Sequence, residues 1–373
     1  MDFNLTDEQR MLREGAERFL QETYTFEKRR ATLTMSSRCD ENVWTSFAEL
    51  GWMALTIPEP MGGLGAGAFE STILAEAMGR RLVVEPFATT AVLAARILER
   101  SDASTRRDQL LGAIADGSAR VALACLEADR RYELEPATTR VRKTSEGYRL
   151  DGAKLLVLDA PAAHQIIVSA ALPDGQGVGL FVVNVDQPCV TRRAYPLIDG
   201  RRAADIDFED VQLDASALLC GAHSSRDVLG EALDRLHVFL VADALGAMEA
   251  IMDVTAEHLR NRKQFGKPLA TFQALQHRMA EMFVEVQETR SALYHALSHL
   301  DDDRATRAAA VSSAVVVAFE GGRVVGGLGI QLHGGVGMTE EYQVGHYFKR
   351  LLVHEKSWGD VDFHLDRIAH TYR

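Results

Sequence analysis

Cysteine is scarce in this 373-residue chain and nowhere closely paired: Cys39, Cys125, Cys189 and Cys220 are widely spaced and form no CxxC. That spacing argues against a zinc or iron–sulfur site and predicts reduced, mostly buried thiols, with no metal among the expected cofactors. Positive charge is also short. The 41 Lys and Arg against 53 Asp and Glu leave a net charge of −12. A nucleic-acid partner is therefore not expected, because a phosphate-tracking surface needs concentrated cations. No uninterrupted apolar run reaches the roughly 18 residues that span a bilayer. The opening Met1-Asp2-Phe3-Asn4-Leu5-Thr6-Asp7-Glu8 is acidic where a signal peptide begins basic. No membrane partner is expected, and the cytoplasm is the expected location. There is no internal repeat and no low-complexity tract.

What remains is a chain long enough for two or three domains, whose hydrophobic periodicity changes twice. Residues 1–117 read as helical. Thr6 followed by Asp7 and Glu8 marks a helix start. A second helix is expected over Val43 to Leu50, and the turn from Pro58 to Gly65 separates it from periodicity running from Phe69 to near Leu98. Residues 118–221 carry short apolar runs: Val121–Ala124, Tyr148–Leu150, Ile166–Val168 and Leu180–Val183. Glu146-Gly147, Asp151-Gly152, Pro173-Asp174-Gly175 and Asp199-Gly200 punctuate them, which predicts a small antiparallel β-domain. Residues 222–373 return to helix, with long helices expected over Leu233–Arg260, Phe272–Leu300 and Arg304–Gly326. The expected class is α+β, mostly helical, with helical domains before and after the β-domain.

Two segments in the last helical region carry nucleotide-binding chemistry. The first is Arg260-Asn261-Arg262-Lys263-Gln264-Phe265-Gly266-Lys267-Pro268-Leu269 and the second Gln331-Leu332-His333-Gly334-Gly335-Val336-Gly337. Arg262 offers a forked, permanently charged donor to phosphate oxygens. Gly266 suits a left-handed cap after the helix, and Gln273 can add an amide contact. Gly334, Gly335 and Gly337 remove side chains where backbone must meet a ligand. Taken singly, either segment also reads as a helix-end cation or an ordinary turn. Neither has the strand–glycine–helix setting of a Rossmann fingerprint.

In this order after a β-domain, the two segments resemble the dinucleotide signatures of the acyl-CoA dehydrogenase family of flavoproteins. The resemblance extends over nearly the whole chain. It includes the opening residues, Gly62-Gly63-Leu64-Gly65 with Glu76-Ala77-Met78-Gly79, and Gly147-Tyr148-Arg149-Leu150-Asp151-Gly152-Ala153-Lys154. It implies the family's fold: an N-terminal helical domain (1–117), a β-barrel-like middle domain (118–221) and a C-terminal four-helix domain (222–373). It also implies FAD as cofactor, an acyl-CoA thioester as substrate, α,β-desaturation as reaction and electron-transfer flavoprotein as acceptor. Members assemble as dimers or paired dimers in which the adenine end of FAD crosses the subunit interface. On that pattern Arg262, Gln264, Phe265, Gln273, Gln331, Leu332, Gly334, Gly335 and Gly337 serve a FAD whose ring lies mainly in the partner.

The family's catalytic glutamate has no counterpart. At its position before a Gly-Thr pair the chain has Trp358, within Ser357-Trp358-Gly359-Asp360; at its alternative position the chain has Leu236. Neither can accept a proton. The family's Thr-Glu-Pro segment corresponds to Leu126-Glu127-Ala128-Asp129-Arg130-Arg131. Its ring-flanking tryptophan and threonine correspond to Leu156 and Leu158. Asp234, Asp243, Asp360 and Asp362 are the nearby carboxylates, and Asp243 is the weak candidate for a relocated base. His333 and His364 are expected to be structural. The chain resembles the small subunits of pimeloyl-CoA dehydrogenase-like enzymes and of two-chain steroid side-chain dehydrogenases. The resemblance thus implies a non-catalytic subunit of an α2β2 heteromer. Its partner, a second acyl-CoA dehydrogenase subunit, would carry the glutamate in fatty acid or steroid side-chain β-oxidation. Two alternatives stay open: a homomeric dehydrogenase with a relocated carboxylate, and a structural or regulatory paralogue that has lost FAD.

Overall fold

A computed structural model describes residues 4–35, 39–128, 130–136 and 138–371. Met1–Phe3 of the opening motif and Asp129 of the Leu126–Arg131 segment lie outside the described residues. Six α-helices come first: α1 (Asp7–Thr23), α2 (Phe26–Thr32), α3 (Glu41–Glu49), α4 (Ala68–Arg81), α5 (Ala95–Arg100) and α6 (Thr105–Ala115). The expected start at Thr6 is a full capping box. Thr6 Oγ1 accepts from Gln9 N at 3.2 Å, and Gln9 Oε1 accepts from Thr6 N at 3.0 Å. The expected run from Phe69 to Leu98 is not one helix. It breaks after Arg81 and resumes as a π-helical stretch, Ala88–Ala94, that leads into α5.

The strands follow: β1 (Val121–Ala124), β2 (Arg140–Thr144), β3 (Gly147–Leu158), β4 (Gln165–Ala171), β5 (Val178–Asn184), β6 (Val190–Pro196), β7 (Arg202–Asp214) and β8 (Leu218–Cys220). They form one sheet in the order β6-β7-β3-β2-β4-β5-β8, with β1 on β4. The sheet is mixed rather than purely antiparallel, because β1 and the start of β2 both pair with β4 in parallel. Alternating residues of β3 to β5 and β7 close on a core that includes Leu150, Ile166, Val168, Phe181, Val183 and Ile206. Each such side chain contributes roughly 1.5–3 kcal/mol of burial. Cys39, Cys125 and Cys220 are buried thiols and Cys189 is exposed.

The last third holds α7 (Ser225–Asn261), a hairpin of β9 (Lys263–Gln264) and β10 (Lys267–Pro268), and then α8 (Gln273–Ser298), α9 (Arg304–His333), α10 (Gln343–Ser357) and α11 (Val361–Thr371). α8, α10 and α11 all pack on α9. That helix runs past its expected end at Gly326 to His333. A Cβ on Gly326 would fall 2.3 Å from the Phe348 ring, and one on Gly329 2.5 Å from Ile251 Cγ2. The glycines are therefore close-packing positions inside a helix, not its end. By length and composition Arg304–Met338 is apolar enough to cross a membrane, but 61% of its most apolar window is buried inside the chain.

The chain divides into two compact units. One comprises Met1–Ala31, Ala68–Val83 and His237–Arg373; the other comprises Thr32–Gly67 and Val84–Leu236. The first holds both glycine- and arginine-bearing segments, and the second holds the sheet.

Candidate cofactor site

In the unit that contains most of α7, the first segment is built at that helix's C-terminal end. The helix closes with Arg262 N donating to His258 O at 2.8 Å, and Leu269 N returns to Arg262 O at 2.8 Å. Between them Phe265 and Gly266 form the two-residue turn of the β9–β10 hairpin, with φ of +54° and +80°. Both central residues are left-handed, as a type I′ hairpin turn requires. Gly266 thus serves a hairpin rather than the expected helix cap. Phe265 is 89% exposed and meets the Phe272 ring edge-on at 6.1 Å. Phe272 immediately precedes Gln273, the first residue of α8, and caps that helix with no side-chain hydrogen bond. The first-turn amides of such a helix face an anion favourably.

The second segment ends α9. Gly334 caps the helix at φ +65° and ψ −142°, a conformation open essentially only to glycine. A Cβ on Gly334 or Gly335 would meet nothing within 4 Å, so the backbone is open to approach there. Leu332 and Gly337 are buried and anchor the loop. The two segments are joined by aromatic stacking: the His258 and His333 rings lie 4.5 Å apart at 33°, and Tyr342 covers His333 at 4.9 Å. His333 Nδ1 pairs with Gly329 O at 2.7 Å. Burial lowers the pKa of both histidines, and for His258 the neighbouring His333 and Arg262 add to it.

Around this junction Arg262, Gln264, Gln273 and Gln331 are exposed. Among the described residues, none of the four side chains has a hydrogen-bond or ion-pair partner. A cationic fork, three amides, an uncapped helix start and bare glycine backbone together match the pyrophosphate and adenosine end of a dinucleotide. These residues fit that half of FAD.

The positions expected at the ring end, in the sheet-bearing unit, are spent differently. Glu127 is buried. Its Oε2 accepts from Thr138 N (2.7 Å) and Thr138 Oγ1 (2.9 Å), and its Oε1 accepts from Thr139 N (3.1 Å) and Lys154 Nζ (2.8 Å). Burial opposes its charge, but Lys154 and the threonine donors win and bring its pKa down to about 2. Lys154 is fully buried and also donates to Ser169 Oγ at 3.1 Å. Two residues on, β3 bulges: Leu156 sits at φ +49° and donates its N–H to Asp205 Oδ1 at 3.1 Å. Leu158 is buried. Neither leucine offers an aromatic face or a hydroxyl, so this region does not fit a flavin ring as the nucleotide segments fit its other end.

The two positions expected of the base hold apolar side chains. Trp358 is 6% exposed at the end of α10, and Leu236 is 1% exposed within α7. Asp360 caps α11 by accepting from Phe363 N at 3.0 Å, and Asp362 is exposed in that helix's first turn. Asp234 is buried on α7. Asp243 is buried too. Arg350 grips both its oxygens, Nε to Oδ1 at 3.1 Å and Nη2 to Oδ2 at 3.0 Å, and His354 Nε2 lies 2.7 Å from Oδ1. Burial would raise its pKa, but Arg350 and His354 overcome this and hold it well below the usual carboxylate range. A carboxylate so held is a poor proton acceptor. His364 pairs with Ser312 Oγ at 3.0 Å and lies edge-on to His237 at 4.7 Å. Burial, with His237 and Arg367 nearby, pushes its pKa down to about 2. Among the described residues no cluster of three His, Cys, Asp or Glu could hold a metal.

Two clusters escaped the sequence reading, Glu127–Lys154 and Asp243–Arg350–His354. The first left a signal, since Lys154 is a charge just before the apolar run at 155–158 of β3. The second joins residues over a hundred positions apart and leaves none.

Comparison with known proteins agrees in length and fold. Residues 6–118 match the family described as acyl-CoA dehydrogenase, N-terminal domain, and residues 226–372 match acyl-CoA dehydrogenase, C-terminal domain. The chain is 27% identical to acyl-CoA dehydrogenase FadE27 of Mycobacterium tuberculosis, over 99% of this chain and 98% of that one. It is 25% identical to mitochondrial isovaleryl-CoA dehydrogenase of Pongo abelii, over 94% and 85%. Among solved structures it is similar to the ChsE4–ChsE5 complex from Mycobacterium tuberculosis, with a TM-score of 0.90, 26% identity and coverage of 100% and 99%. A variant of the Tcur3481–Tcur3483 steroid ACAD gives a TM-score of 0.88 at 28% identity, over 98% of both chains.

Proposed function

The chain belongs to the acyl-CoA dehydrogenase family, whose cofactor is FAD, and from that premise we propose that it is the non-catalytic subunit of a heteromeric, α2β2 acyl-CoA dehydrogenase. The observation that carries the reading is an asymmetry of use. Arg262, Gln264, Gln273 and Gln331 stand exposed with no intrachain partner, while the base positions hold the buried apolar side chains Trp358 and Leu236. FAD, when bound, supplies the hydride acceptor for α,β-desaturation of the thioester. This chain's part is to hold the nucleotide end. Arg262 neutralises phosphate charge, the three glutamines hydrogen-bond the phosphates and ribose, and Gly334 and Gly335 let the backbone close on the adenosine. The α-proton is taken by a carboxylate on the partner chain, which a desaturation of this kind requires.

Two likenesses support the two-chain assignment. One similar structure is a complex of two differently named chains, ChsE4 and ChsE5, and another is a two-name steroid ACAD. The steroid ACAD likeness supports a bulky acyl-CoA, such as a steroid side-chain thioester, as the substrate class. Electron-transfer flavoprotein is the proposed acceptor. A homomer using Asp243 is disfavoured by the Arg350 and His354 contacts that hold that carboxylate ionised and enclosed.

Flavin stoichiometry tests the proposal. The chain, purified alone and after co-expression with a glutamate-bearing acyl-CoA dehydrogenase subunit as partner, should bind no tightly held FAD alone and one FAD per heterodimer. Two FAD per heterodimer, or acyl-CoA oxidation by the pure chain, would overturn it.

A further inference from the structure

Helices α1, α4, α7 and α8 wall a cleft of about 480 Å³, a volume suited to a small organic molecule. All of its lining residues belong to the first compact unit. Helical spacing builds the walls. Arg13, Glu17 and Gln21 share one face of α1, Glu76 and Arg80 one face of α4, and Arg290 and Tyr294 one face of α8, each set at intervals of four residues. The cleft is remote from the nucleotide segments. Roughly 20 Å of α7 separates Glu249 from Arg262, and roughly 30 Å of α8 separates Tyr294 from Gln273.

Four arginines and three glutamates line it. Two of the arginines are committed. Arg80 Nη1 meets Glu249 Oε2 at 3.0 Å and its Nη2 pairs with Asp253; Arg290 Nη1 meets Glu76 Oε2 at 3.4 Å and its Nη2 pairs with Glu249. The other two are not. Arg13 and Arg81 are half-buried, and among the described residues neither has a hydrogen bond or an ion pair. Arg13 interacts electrostatically with Glu76 without bonding to it, and Arg81 does the same with Tyr347. Glu17, one turn along α1 from Arg13, forms no ion pair with it.

Two guanidiniums lining one cleft carry forked donors that no acceptor in the chain uses, and a forked donor matches the paired oxygens of a carboxylate or phosphate. The carboxylates nearest to them are largely spent on Arg80 and Arg290. At a net charge of −12 the chain as a whole repels anions, so one held here is held by local contacts. The cleft also offers apolar surface. Ile73 and Ala77 are buried at its floor, and the Tyr294 ring lies 6.4 Å from that of Phe69. We propose that this cleft is a second ligand site, which binds a small organic acid or phosphate ester with its acid group on Arg13 and Arg81 and its body against Tyr294. All of its residues come from this chain, so the site does not depend on the two-chain reading.

The test is calorimetric titration of the full chain at low salt with three probes: succinate, AMP and inorganic phosphate. Succinate or AMP should bind with a dissociation constant below about 1 mM, and whichever binds more tightly names the acid group. Inorganic phosphate, which lacks a body, should bind more weakly. Arg13→Gln and Arg81→Gln should each weaken the tighter probe about tenfold, as loss of a charge-assisted bond does. Both should leave the unliganded chain as stable as wild type, because neither side chain bonds within it. Lys143→Gln removes an exposed cation of β2 and should leave binding unchanged; an equal weakening there would reduce the effect to general charge and overturn the site. Loss of binding in Arg262→Gln, with Arg13→Gln and Arg81→Gln matching wild type, would move the probe to the nucleotide segments and overturn it too. So would the absence of binding by all three probes at millimolar concentration. Flavin stoichiometry, which tests the two-chain reading, is measured separately and is untouched by any of these results.

Discussion

The nucleotide segments and the would-be ring region use polar residues in opposite ways. Around Arg262 and Gln331 the polar groups are exposed and unspent, and the backbone is bare where Gly334 and Gly335 turn. At Glu127 and Lys154 the polar groups are buried and spent on one another, with Thr138, Thr139 and Ser169 completing their hydrogen bonds. Asp243 is closed in the same manner by Arg350 and His354. A charge already satisfied inside the fold holds strands or helices together, whereas an exposed, unsatisfied donor costs little until a ligand claims it. The comparison shows the same residue types spent inside the fold in one region and left exposed in the other.

The largest effect is expected where a closed cluster is opened. Lys154→Met keeps the volume but strands the Glu127 charge in the interior. Breaking such a buried pair should cost about 3–5 kcal/mol, read as a fall in the urea midpoint of the chain. A loss below about 1 kcal/mol would mean that the pair is not the tie between the segment at 127 and β3 that its geometry describes. Asp243→Asn should destabilise by a similar amount, about 3–5 kcal/mol, while the activity of each folded heteromer stays unchanged. A relocated base would give the reverse: intact stability and activity lost by orders of magnitude. Its pH signature has a definite sign. Because the folded pKa of Asp243 is depressed, its stabilisation is full above the ordinary carboxylate value of 3.8 and is lost as pH falls toward the folded value. Wild type should therefore lose its stability margin over Asp243→Asn in acid.

Most of the fold was legible in local signals. Thr6 with Asp7 and Glu8 marked the first helix, and the alternating runs at 121–124, 166–168 and 180–183 fall on β1, β4 and β5. The misreadings share a cause. The helix expected to end at Gly326 continues to His333, with Gly326 and Gly329 admitting Phe348 and Ile251 at close approach. The parallel pairing of β1 with β4 likewise depends on a partner more than forty residues away. The arginine–hairpin and glycine segments could be picked out because their residues are adjacent in sequence. The closure of Asp243 was not legible, because Arg350 and His354 reach it from another helix, beyond any spacing rule.

Smaller effects probe the open side of the comparison. Arg262→Gln touches nothing inside the chain, so its stability should stay within about 0.5 kcal/mol of wild type. A lost charge-assisted phosphate bond is worth about 1.5–3 kcal/mol, so flavin should dissociate from the heteromer roughly 10- to 100-fold more readily. Fluorescence of released flavin measures this directly, and unchanged affinity would remove Arg262 from the nucleotide site.

The sharpest contrast belongs to Phe265. A phenylalanine at φ +54° with 89% of its surface exposed is disfavoured on both counts within the isolated chain. Left-handed backbone at a non-glycine residue costs of order 1 kcal/mol, and glycine suits either central position of this turn. Phe265→Gly should therefore leave the isolated chain as stable as wild type or raise it by up to about 1 kcal/mol. If the ring is kept for a surface outside this chain, the same variant should bind the partner subunit about tenfold more weakly, the effect of losing an aromatic anchor. Stability gained while association is lost would place Phe265 with Arg262 among residues whose partners lie on another chain. Stability lost with association intact would return it to the folded interior, alongside Lys154 and Asp243.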